Sequence, residues 1–543
     1  MPIMALTSRL RRTVATDIAI LSLATAAVAL LLFQTADAEA AKILRRGLDS
    51  EVESLDPQKG IALYDVSVQH ELMEGLTALD MDLKPVPGAA LSWDVSADGL
   101  TYTFHLRPDG KWSNGDPVVA DDFVYAMRRG VDPATGASDP LALRPILNAE
   151  AIIAGKIKDP TKLGVEAVDP LTLRIRLQAP CVIFPLRMTD NTAMPLNRAT
   201  IEKWGQDWPK PGHFVGNGAF ILKDWVPQSQ IILVKNPLYH DAAAVKLDEV
   251  DYLNTSDIQS GLRRWEAGEL DEFDRPPVKD LPRLKATYGS EMLEAPINSH
   301  NFLTINMTRG PLSQDLRLRQ ALNMTVDRET ITQKVIPNGS LPAYGFMPPV
   351  IPDYVSQPMF FKSLSQAERV TKAKELMKEA GYGPDHPLKF SLIYATSDQT
   401  RTQLLAIAAM WKPIGVEVTL ENMEWQIYLS KVQQKDYDMG AMGEAGLYNE
   451  PEDAFINYIS TNTSYNYPGY KSAAFDKLFD EGRVATTVEA RAQFFEAAEK
   501  QMMTDMPVIP MTDVVQHTLV HKRVIGWRAN VDYPQSRYIS VAD

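Results

Sequence analysis

The stretch that decides the fold runs from Ser92 to Arg129 and reads SWDVSADGLTYTFHLRPDGKWSNGDPVVADDFVYAMRR. Its first half predicts two strands joined at Asp98-Gly99, because glycine supplies the positive φ that hairpin turns need. The run after this turn alternates between apolar and polar residues, as a half-buried strand does. The apolar set consists of Tyr102, Phe104 and Leu106.

The second half of the stretch predicts a turn followed by a helix. Asp109-Gly110 turns the chain again, and a helix is expected from Ala120 to Arg129, ending at Gly130. Asp121-Asp122 suit the start of this helix, where negative charge meets the positive end of the helix dipole. The stretch therefore indicates a scaffold rather than catalytic chemistry.

The amino terminus has the pattern of a secretory signal peptide. Three arginines at positions 9, 11 and 12 precede an apolar run over 18–33, which is short for a membrane span. Ala36-Asp37-Ala38 matches a small-x-small cleavage site, so we expect cleavage after Ala38 and a periplasmic mature protein. An uncleaved membrane anchor is the alternative, and both Sec and twin-arginine export stay open. No cysteine lies near the cleavage site to carry a lipid.

Charge and cysteine content exclude several classes of protein. The chain of 543 residues has a formal charge of −14, which becomes −15 without residues 1–38 and their three arginines and two aspartates. Such acidity argues against nucleic acid and anionic membrane surfaces as partners. The single cysteine, Cys181, allows no internal disulfide and is expected to be a small buried apolar residue. The length exceeds one hydrophobic core, so two or three domains are expected.

The two halves of the chain differ in their pattern of predicted secondary structure. Up to about Tyr252 the sequence is rich in strand patterns, whereas from Ser365 onward strands alternate with helices, which predicts an α/β domain with a partly parallel sheet. The clearest helix starts with a capping box of Ser365 and Glu368 and stops at Gly381. The elements expected after it are strand 388–394, a helix capped near Ser397, strand 416–421, helix 425–434, strand 437–442, helix 487–506 and strand 508–520.

Five further motifs are spread along the chain: SLDPQKG (54–60), ELMEGL (71–76), NGAFILKDW (217–225), LRLRQALNMTVDRETI (316–331) and YNEP (448–451). In this order and spacing, and together with the opening stretch, they resemble the oligopeptide-binding family of bacterial extracytoplasmic solute-binding proteins. The resemblance extends over nearly the whole mature chain. Members of this family serve ATP-driven importers.

The resemblance implies a mixed α/β (α+β) fold of two lobes with an additional β-rich domain. Residues 42–73, 200–299 and 514–543 would form one discontinuous lobe, and residues 300–513 the opposing α/β lobe. Residues 74–199 would form the β-rich domain. The ligand would lie between the lobes, which close about a hinge.

The resemblance also implies a binding role and not an enzyme. The protein would capture oligopeptides or peptide-like solutes as a monomer, without a cofactor or metal ion, and deliver them to an inner-membrane ABC permease. A receptor for a non-peptide solute, such as an opine, a sugar conjugate or a cell-wall fragment, is the alternative within the family. A secreted hydrolase is the alternative from another class, and the sequence offers it neither a nucleophile motif nor a metal-binding motif.

A peptide cleft needs an acid for the free amine, backbone groups that pair with an extended chain, and roomy side-chain pockets. In the family, an acid immediately before the tyrosine of the YNEP-like loop holds the ligand ammonium. Trp425 keeps the family's aromatic wall, with a core position as the alternative. The ligand-binding residues assigned in this way are Trp425, Gly443, Glu444, Ala445, Leu447, Phe302, Leu63 and Asp274.

Four charged positions of the family site hold uncharged residues in this chain. The acid that holds the ligand ammonium falls at Leu447, and a second family acid falls at Ile61. Two arginines that serve ligand carboxylates fall at Val432 and Ala441. We therefore expect a ligand that lacks a conventional α-amine, or an amine that is bound elsewhere.

Three acids are candidates for that other amine site. Glu444 replaces the family's aromatic residue after the glycine, and it also fits a solvated wall residue. Asp274 is the second candidate. Glu450 is the third, although its place in YNEP favours a scaffold role.

Overall fold

A mixed sheet of eleven strands runs through the molecule. The computed structural model describes residues 41–60, 62–138, 140–446, 449–529 and 534–542. Ten strands of the sheet are neighbours in the order Val416–Met423, Leu388–Ala395, Met439–Ala445, Met292–Ile305, Val508–Val520, Glu272–Asp274, Ile43–Leu48, Glu249–Asn254, Gln230–Lys235 and Phe220–Val226. The eleventh, Leu341–Pro342, pairs with Val508–Val520.

Two long antiparallel strands, Met292–Ile305 and Val508–Val520, form the middle of this sheet and are called the long-strand pair below. Towards one end, Val508–Val520 also pairs with Glu272–Asp274. Towards the other end, Met292–Ile305 also pairs with Met439–Ala445. The register of the long-strand pair shifts twice within residues 296–302, and such irregularities bend a strand locally. The two halves of the sheet are thus joined through an irregular strand pair.

Three large apolar cores come from different parts of the chain. The first is drawn from residues 302–511. The second combines residues 44–73 and 194–252 with residues 520–541. The third is drawn from residues 76–193. Burial of apolar surface is the main favourable term in folding, so each core contributes to the stability of its own part of the chain.

The opening stretch forms the strand pair that its pattern predicts. Ala90–Val95 pairs antiparallel with Thr101–Leu106, and Gly99 has a φ of +69° in the turn between them. The three predicted inward residues are all buried: Tyr102, Phe104 and Leu106. A four-stranded sheet results, in the order Ala90–Val95, Thr101–Leu106, Thr172–Arg176 and Val165–Asp169.

The helix after this hairpin is longer than predicted. It spans Ala120–Val131 and passes through Gly130 instead of stopping there. Glycine serves close packing at this position, because a Cβ atom would lie only 3.0 Å from Gln58 Nε2 and from Leu143 Cδ1. The predicted end of the helix was therefore wrong, and a tertiary contact is the reason.

The remaining α-helices are Leu63–Leu72, Ala149–Ile153, Phe184–Arg187, Arg198–Trp204, Ile258–Glu266, Leu281–Tyr288, Gly310–Gln314, Leu316–Thr325, Arg328–Thr330, Gln366–Glu379, Asp398–Trp411, Trp425–Gln433, Pro451–Phe455, Ala473–Arg483 and Val488–Asp505. Two small strand pairs complete the fold, Thr77–Leu79 with Pro85–Pro87 and Val524–Ile525 with Ser540–Val541. Of the helices in the described residues, none combines the length and apolar character needed to cross a membrane. The predicted signal peptide over residues 1–38 lies outside the described residues.

The second half of the chain has the predicted alternation of strands and helices. Ser365 caps the helix Gln366–Glu379 in a capping box, and Gly381 follows it with a φ of +87°. Leu388–Ala395 and Val416–Met423 are parallel neighbours. These observations confirm the capped helix and the partly parallel sheet.

One strand of this half was placed incorrectly from the sequence. The pattern predicts residues 437–442, whereas the strand spans Met439–Ala445. Its last residues, Gly443 to Ala445, are poor strand formers, but they pair with Ser299–Asn301 of the long-strand pair. Tertiary pairing therefore extends the strand beyond its local signal.

Candidate ligand-binding site

The strand Met439–Ala445 leaves part of one edge unpaired. On one side every residue pairs with a residue of Met292–Ile305. On the other side only Met439 and Gly440 have partners, which belong to Leu388–Ala395. No strand in the described part of the chain pairs with residues 441–445 on that side, and they are called the open edge below.

The alternation of backbone groups fixes which atoms the open edge presents. The N–H of Gly446 donates to the carbonyl of Asn298, 3.0 Å away, on the side of the long strand. The carbonyl of Ala441 accepts from Tyr428 Oη at 2.7 Å on the opposite side. Because hydrogen-bonding groups alternate along a strand, those of Gly443 and Ala445 point the same way as those of Ala441. Both residues are exposed, so two N–H donors and two carbonyl acceptors face outward.

The helix Trp425–Gln433 lies beside the open edge. Its Tyr428 side chain is fully buried and ties the helix to Ala441. The Trp425 ring stacks on Tyr428 at a centroid distance of 5.7 Å and remains 50% exposed. Trp425 is thus a surface aromatic next to the open edge and not a core residue.

Glu444 is a partly buried carboxylate within the open edge. Its Oε1 accepts a hydrogen bond from Asn457 Nδ2 at 2.5 Å. Burial raises the pKa of Glu444 to about 7, and the Asn457 hydrogen bond opposes this shift only in part. Among the described residues, no lysine, arginine or histidine forms an ion pair with this carboxylate.

Two predicted site residues lie elsewhere in the fold. Phe302 is 1% exposed and packs against Phe346 at a centroid distance of 5.6 Å, so its side chain belongs to the first core. Leu63 begins the helix Leu63–Leu72 and is exposed. The structure gives the Phe302 side chain no access to a ligand, and the role of Leu63 stays a prediction.

Asp274 ends a strand in the other half of the sheet. Its Oδ1 accepts hydrogen bonds from Thr518 Oγ1 at 2.7 Å and from Gln516 Nε2 at 3.3 Å. Its Oδ2 is buried and has no hydrogen-bond partner among the described residues. The guanidinium of Arg46 interacts electrostatically with Asp274, so a cation already stands near this carboxylate.

The positions that depart from the family pattern lie in different surroundings. Val432 is fully buried in a small apolar cluster with Tyr428, so it offers no group to a ligand. Ala441 is partly buried and belongs to the open edge. Leu447 and Ile61 lie outside the described residues.

Glu450 has the scaffold position that its motif favours. It is 5% exposed and accepts a hydrogen bond from Arg491 Nε. Arg491 Nη2 also donates to Glu452 at 2.5 Å, and Arg187 lies 3.2 Å from the same Glu452. Glu450 Oε2 has no hydrogen-bond partner among the described residues, but the buried ion pair with Arg491 favours the scaffold role.

Reasoning from the sequence missed the residues that shape the surroundings of Glu444. Asn457 supplies its hydrogen bond, and Tyr458 and Tyr467 interact with it electrostatically. All three follow YNEP within twenty residues, so the asparagine- and tyrosine-rich run 457–467 was the available signal.

Cys181 is buried, as expected, and has no disulfide partner. Within the described ranges, no group of three or more His, Cys, Asp or Glu side chains is placed to hold a metal ion.

Comparison with known proteins identifies the family. The model of the bacterial extracellular solute-binding proteins, family 5 (middle), matches residues 84–466. The periplasmic oligopeptide-binding protein OppA of Escherichia coli (strain K12) is 37% identical over 489 residues, which cover 89% of each chain. The probable deoxycholate-binding periplasmic protein YgiS of the same strain is 33% identical over 473 residues, covering 87% of this chain and 88% of YgiS.

Two solved structures of one relative extend this comparison. The unliganded open form of the murein tripeptide-binding protein MppA superposes with a TM-score of 0.83 at 34% identity, covering 92% of this chain and 98% of MppA. A second structure of E. coli MppA gives a TM-score of 0.75 at 34% identity, covering 92% and 99% of the two chains. The fold is therefore the two-lobed fold expected from the sequence. The chain belongs to the family 5 bacterial extracellular solute-binding proteins.

Proposed function

We propose that this protein is a periplasmic receptor that captures peptides or peptide-like solutes and delivers them to an ABC permease in the inner membrane. Relatives that bind oligopeptides and a murein tripeptide, over nearly the full length of the chain, support this role. The family is one of solute-binding proteins, and we infer that this member performs no catalysis.

The open edge at residues 441–445 is the observation that carries the proposal. An extended peptide laid along it would gain backbone hydrogen bonds as an added strand. Such bonds recognise the main chain and leave the ligand side chains to nearby pockets. Trp425 would form one apolar wall beside the bound chain.

Closure about the long-strand pair would trap the ligand. We assign one lobe to residues 42–73, 200–299 and 514–543, the other lobe to residues 300–513, and the β-rich domain to residues 74–199. Both boundaries between the lobes fall inside the long-strand pair, close to its register shifts. Similarity to the unliganded open form of MppA supports a structure in the ligand-accepting state.

Location and assembly complete the proposal. Periplasmic relatives support a periplasmic location, and we propose export by a signal peptide cut after Ala38. We also propose a monomer that binds its ligand without cofactor or metal ion. The acidic charge of the chain is consistent with a partner other than nucleic acid.

A non-peptide solute is the second candidate ligand. Leucine at position 447 removes the acid that would hold a peptide ammonium, and one relative in the comparison carries the name of a probable deoxycholate-binding protein. The open edge favours the peptide, because a ligand without a backbone would leave its outward amides and carbonyls without a matching partner.

Isothermal titration of the mature protein tests the proposal. The probes are tri-alanine, penta-alanine and a tri-alanine in which the central amide is N-methylated. We expect the unmodified peptides to bind with one site per chain and the N-methylated peptide to bind at least tenfold more weakly, because it loses a backbone donor.

The variant Ala445→Pro removes a backbone donor from the protein, as N-methylation removes one from the peptide. Proline at an edge strand removes one outward N–H and no ladder bond, so the variant should keep the melting temperature of the wild type but lose affinity for peptides. Absence of binding to every peptide, together with a co-purified non-peptide molecule in native mass spectrometry, would overturn the proposal.

A further inference from the structure

Within the described residues Glu444 has no counter-charge, which is unusual for a carboxylate in such surroundings. Its one hydrogen bond in the described structure comes from a neutral amide, that of Asn457. Buried acids are ordinarily paired with a cation or held by several donors, because an isolated buried charge is costly. Glu450 shows the ordinary arrangement a few residues away, in its contact with Arg491.

The groups that face Glu444 from neighbouring elements are neutral. His300 is its partner on the adjacent strand, and burial lowers the pKa of that imidazole to about 3. Tyr458 and Tyr467 come from the segment after YNEP, and burial raises the pKa of both hydroxyls. None of these groups supplies positive charge near neutral pH.

Aromatic rings surround Glu444, some of them buried and others exposed to solvent. Tyr458 packs edge-on against Phe346 at 5.1 Å, and Phe346 packs against His300 at 4.6 Å. Tyr467 is partly buried and meets the ring of Tyr465 at 6.3 Å, and Tyr465 is 52% exposed. Tyrosine rings beside a carboxylate form surroundings that favour a cation over an anion or an apolar group.

We propose that Glu444, with the partly buried Tyr467 beside it, binds a cationic group of the ligand, either a primary ammonium or a guanidinium. This inference rests on the proposed function, since a peptide on the open edge passes directly beside Glu444. It also names the replacement for the acid that is absent at Leu447. Asp274 fits this role less well, because Thr518 and Gln516 already donate hydrogen bonds to its carboxylate.

Binding of a cation at this site should be coupled to the release of a proton from Glu444. Without ligand, Glu444 is protonated below a pH of about 7, and an ammonium group would stabilise the ionised form and lower that pKa. A terminal ammonium, whose pKa is about 8, also loses charge above neutral pH, but affinity for a lysine ammonium or a guanidinium should be constant above pH 7 and fall about tenfold for each pH unit below it. Between pH 8 and pH 5.5 the expected loss is about 30-fold.

Four peptide probes separate the two sources of positive charge. Ala-Lys-Ala carries an ammonium at both the amino terminus and the side chain, and Ala-norleucine-Ala keeps only the terminal one. The N-acetylated form of each peptide removes the terminal ammonium. Titration of wild-type protein with these probes at pH 8 and pH 5.5 shows which ammonium interacts with Glu444.

The variant Glu444→Gln keeps the side-chain shape and removes the charge. We expect it to bind the recognised cationic probe about 10–100-fold more weakly at pH 8 and to show no dependence on pH between 5.5 and 8. The matched control is Glu417→Gln, which removes an exposed acid paired with Lys389 on the outer strand of the sheet. This control should bind all four probes as the wild type does.

Proton release gives a second measurement that requires no variant. Titration at pH 6 in buffers with different ionisation enthalpies should show about one proton released per cationic probe bound. The inference is overturned if wild-type protein binds peptides but distinguishes no charged probe from its uncharged counterpart, or if Glu444→Gln retains both the affinity and the pH dependence. Failure of wild-type protein to bind all four probes would instead overturn the proposed function on which the inference rests.

Discussion

Substitution Arg491→Met tests the buried ionic network behind the YNEP motif. Arg491 is 2% exposed and bonds to Glu450 and Glu452, which are 5% and 7% exposed. Methionine keeps most of the buried apolar stem but removes the guanidinium. Glu452 would keep its contact with Arg187, whereas Glu450 would lose its cation altogether.

The expected loss of stability follows from the one carboxylate left without a cation, that of Glu450. Removal of one partner of a buried ion pair costs about 3–5 kcal/mol, because the remaining charge stays desolvated. For a unit the size of residues 300–513, the lobe that we propose around Arg491, this corresponds to a fall in melting temperature on the order of 10 °C. The open edge precedes Glu450 by only a few residues, so peptide affinity should fall as well.

Differential scanning calorimetry of ligand-free protein measures this effect. Lys477→Met is the matched control, because its ion pair with Glu481 is 3.8 Å long and largely exposed. It should change the stability by no more than about 0.5 kcal/mol. Arg187 and Arg491 outweigh burial and lower the pKa of Glu452 from 4.5, so the difference between wild type and Arg491→Met should shrink in acid. A fall of less than 2 °C at pH 7 would refute the reasoning.

Three further predictions concern stability. Ser365→Ala removes a helix cap and should cost about 1 kcal/mol in thermal unfolding, which Ser365→Asp should largely restore. Gly415→Ala should lower the melting temperature far more than Gly268→Ala, although both residues have a positive φ. A Cβ atom at position 415 would lie 2.2 Å from the carbonyl carbon of Gly383, whereas a Cβ atom at position 268 would meet no atom within 4 Å. Burial opposes the ionisation of Glu74, but three partners outweigh it and lower the pKa to about 2: His240, Arg537 and Tyr239. The stabilisation from Glu74 is therefore present above pH 4.5 and is lost as the pH falls toward 2, which amounts to about 3 kcal/mol. The variant Glu74→Gln should lack this pH-dependent part of the free energy of unfolding. Equal acid sensitivity of the wild type and the variant would contradict the prediction.

Local signals were sufficient for most of the secondary structure. The turn at Gly99 and the cap at Ser365 depend on residues within a few positions of each other, so the sequence alone predicts them. Gly130 shows the limit of such signals, because the atoms that demand glycine there belong to Gln58 and Leu143. The helix Gln366–Glu379 shows the same limit of local signals, because its buried residues include Arg369, a charged residue that a hydrophobic pattern does not mark as buried.

The candidate site could be predicted only in outline. Trp425 and the Gly443–Ala445 segment were identified by resemblance, and the structure brings both to the open edge. The state of Glu444 could not be predicted, because it depends on Asn457 and on aromatic residues from separate segments. Phe302 was also identified by resemblance, but its side chain is packed in the first core, and resemblance alone does not predict that burial.

The strand Val508–Val520 joins both halves of the sheet late in the chain. It pairs with Glu272–Asp274 in one half and with Met292–Ile305 in the other, and it contributes Ile509 to the first core and Val520 to the second. Neither half can complete its hydrogen-bonding ladder before these residues have been synthesised. Nascent chains therefore keep unpaired strand edges until translation is nearly finished, which delays compaction of the chain.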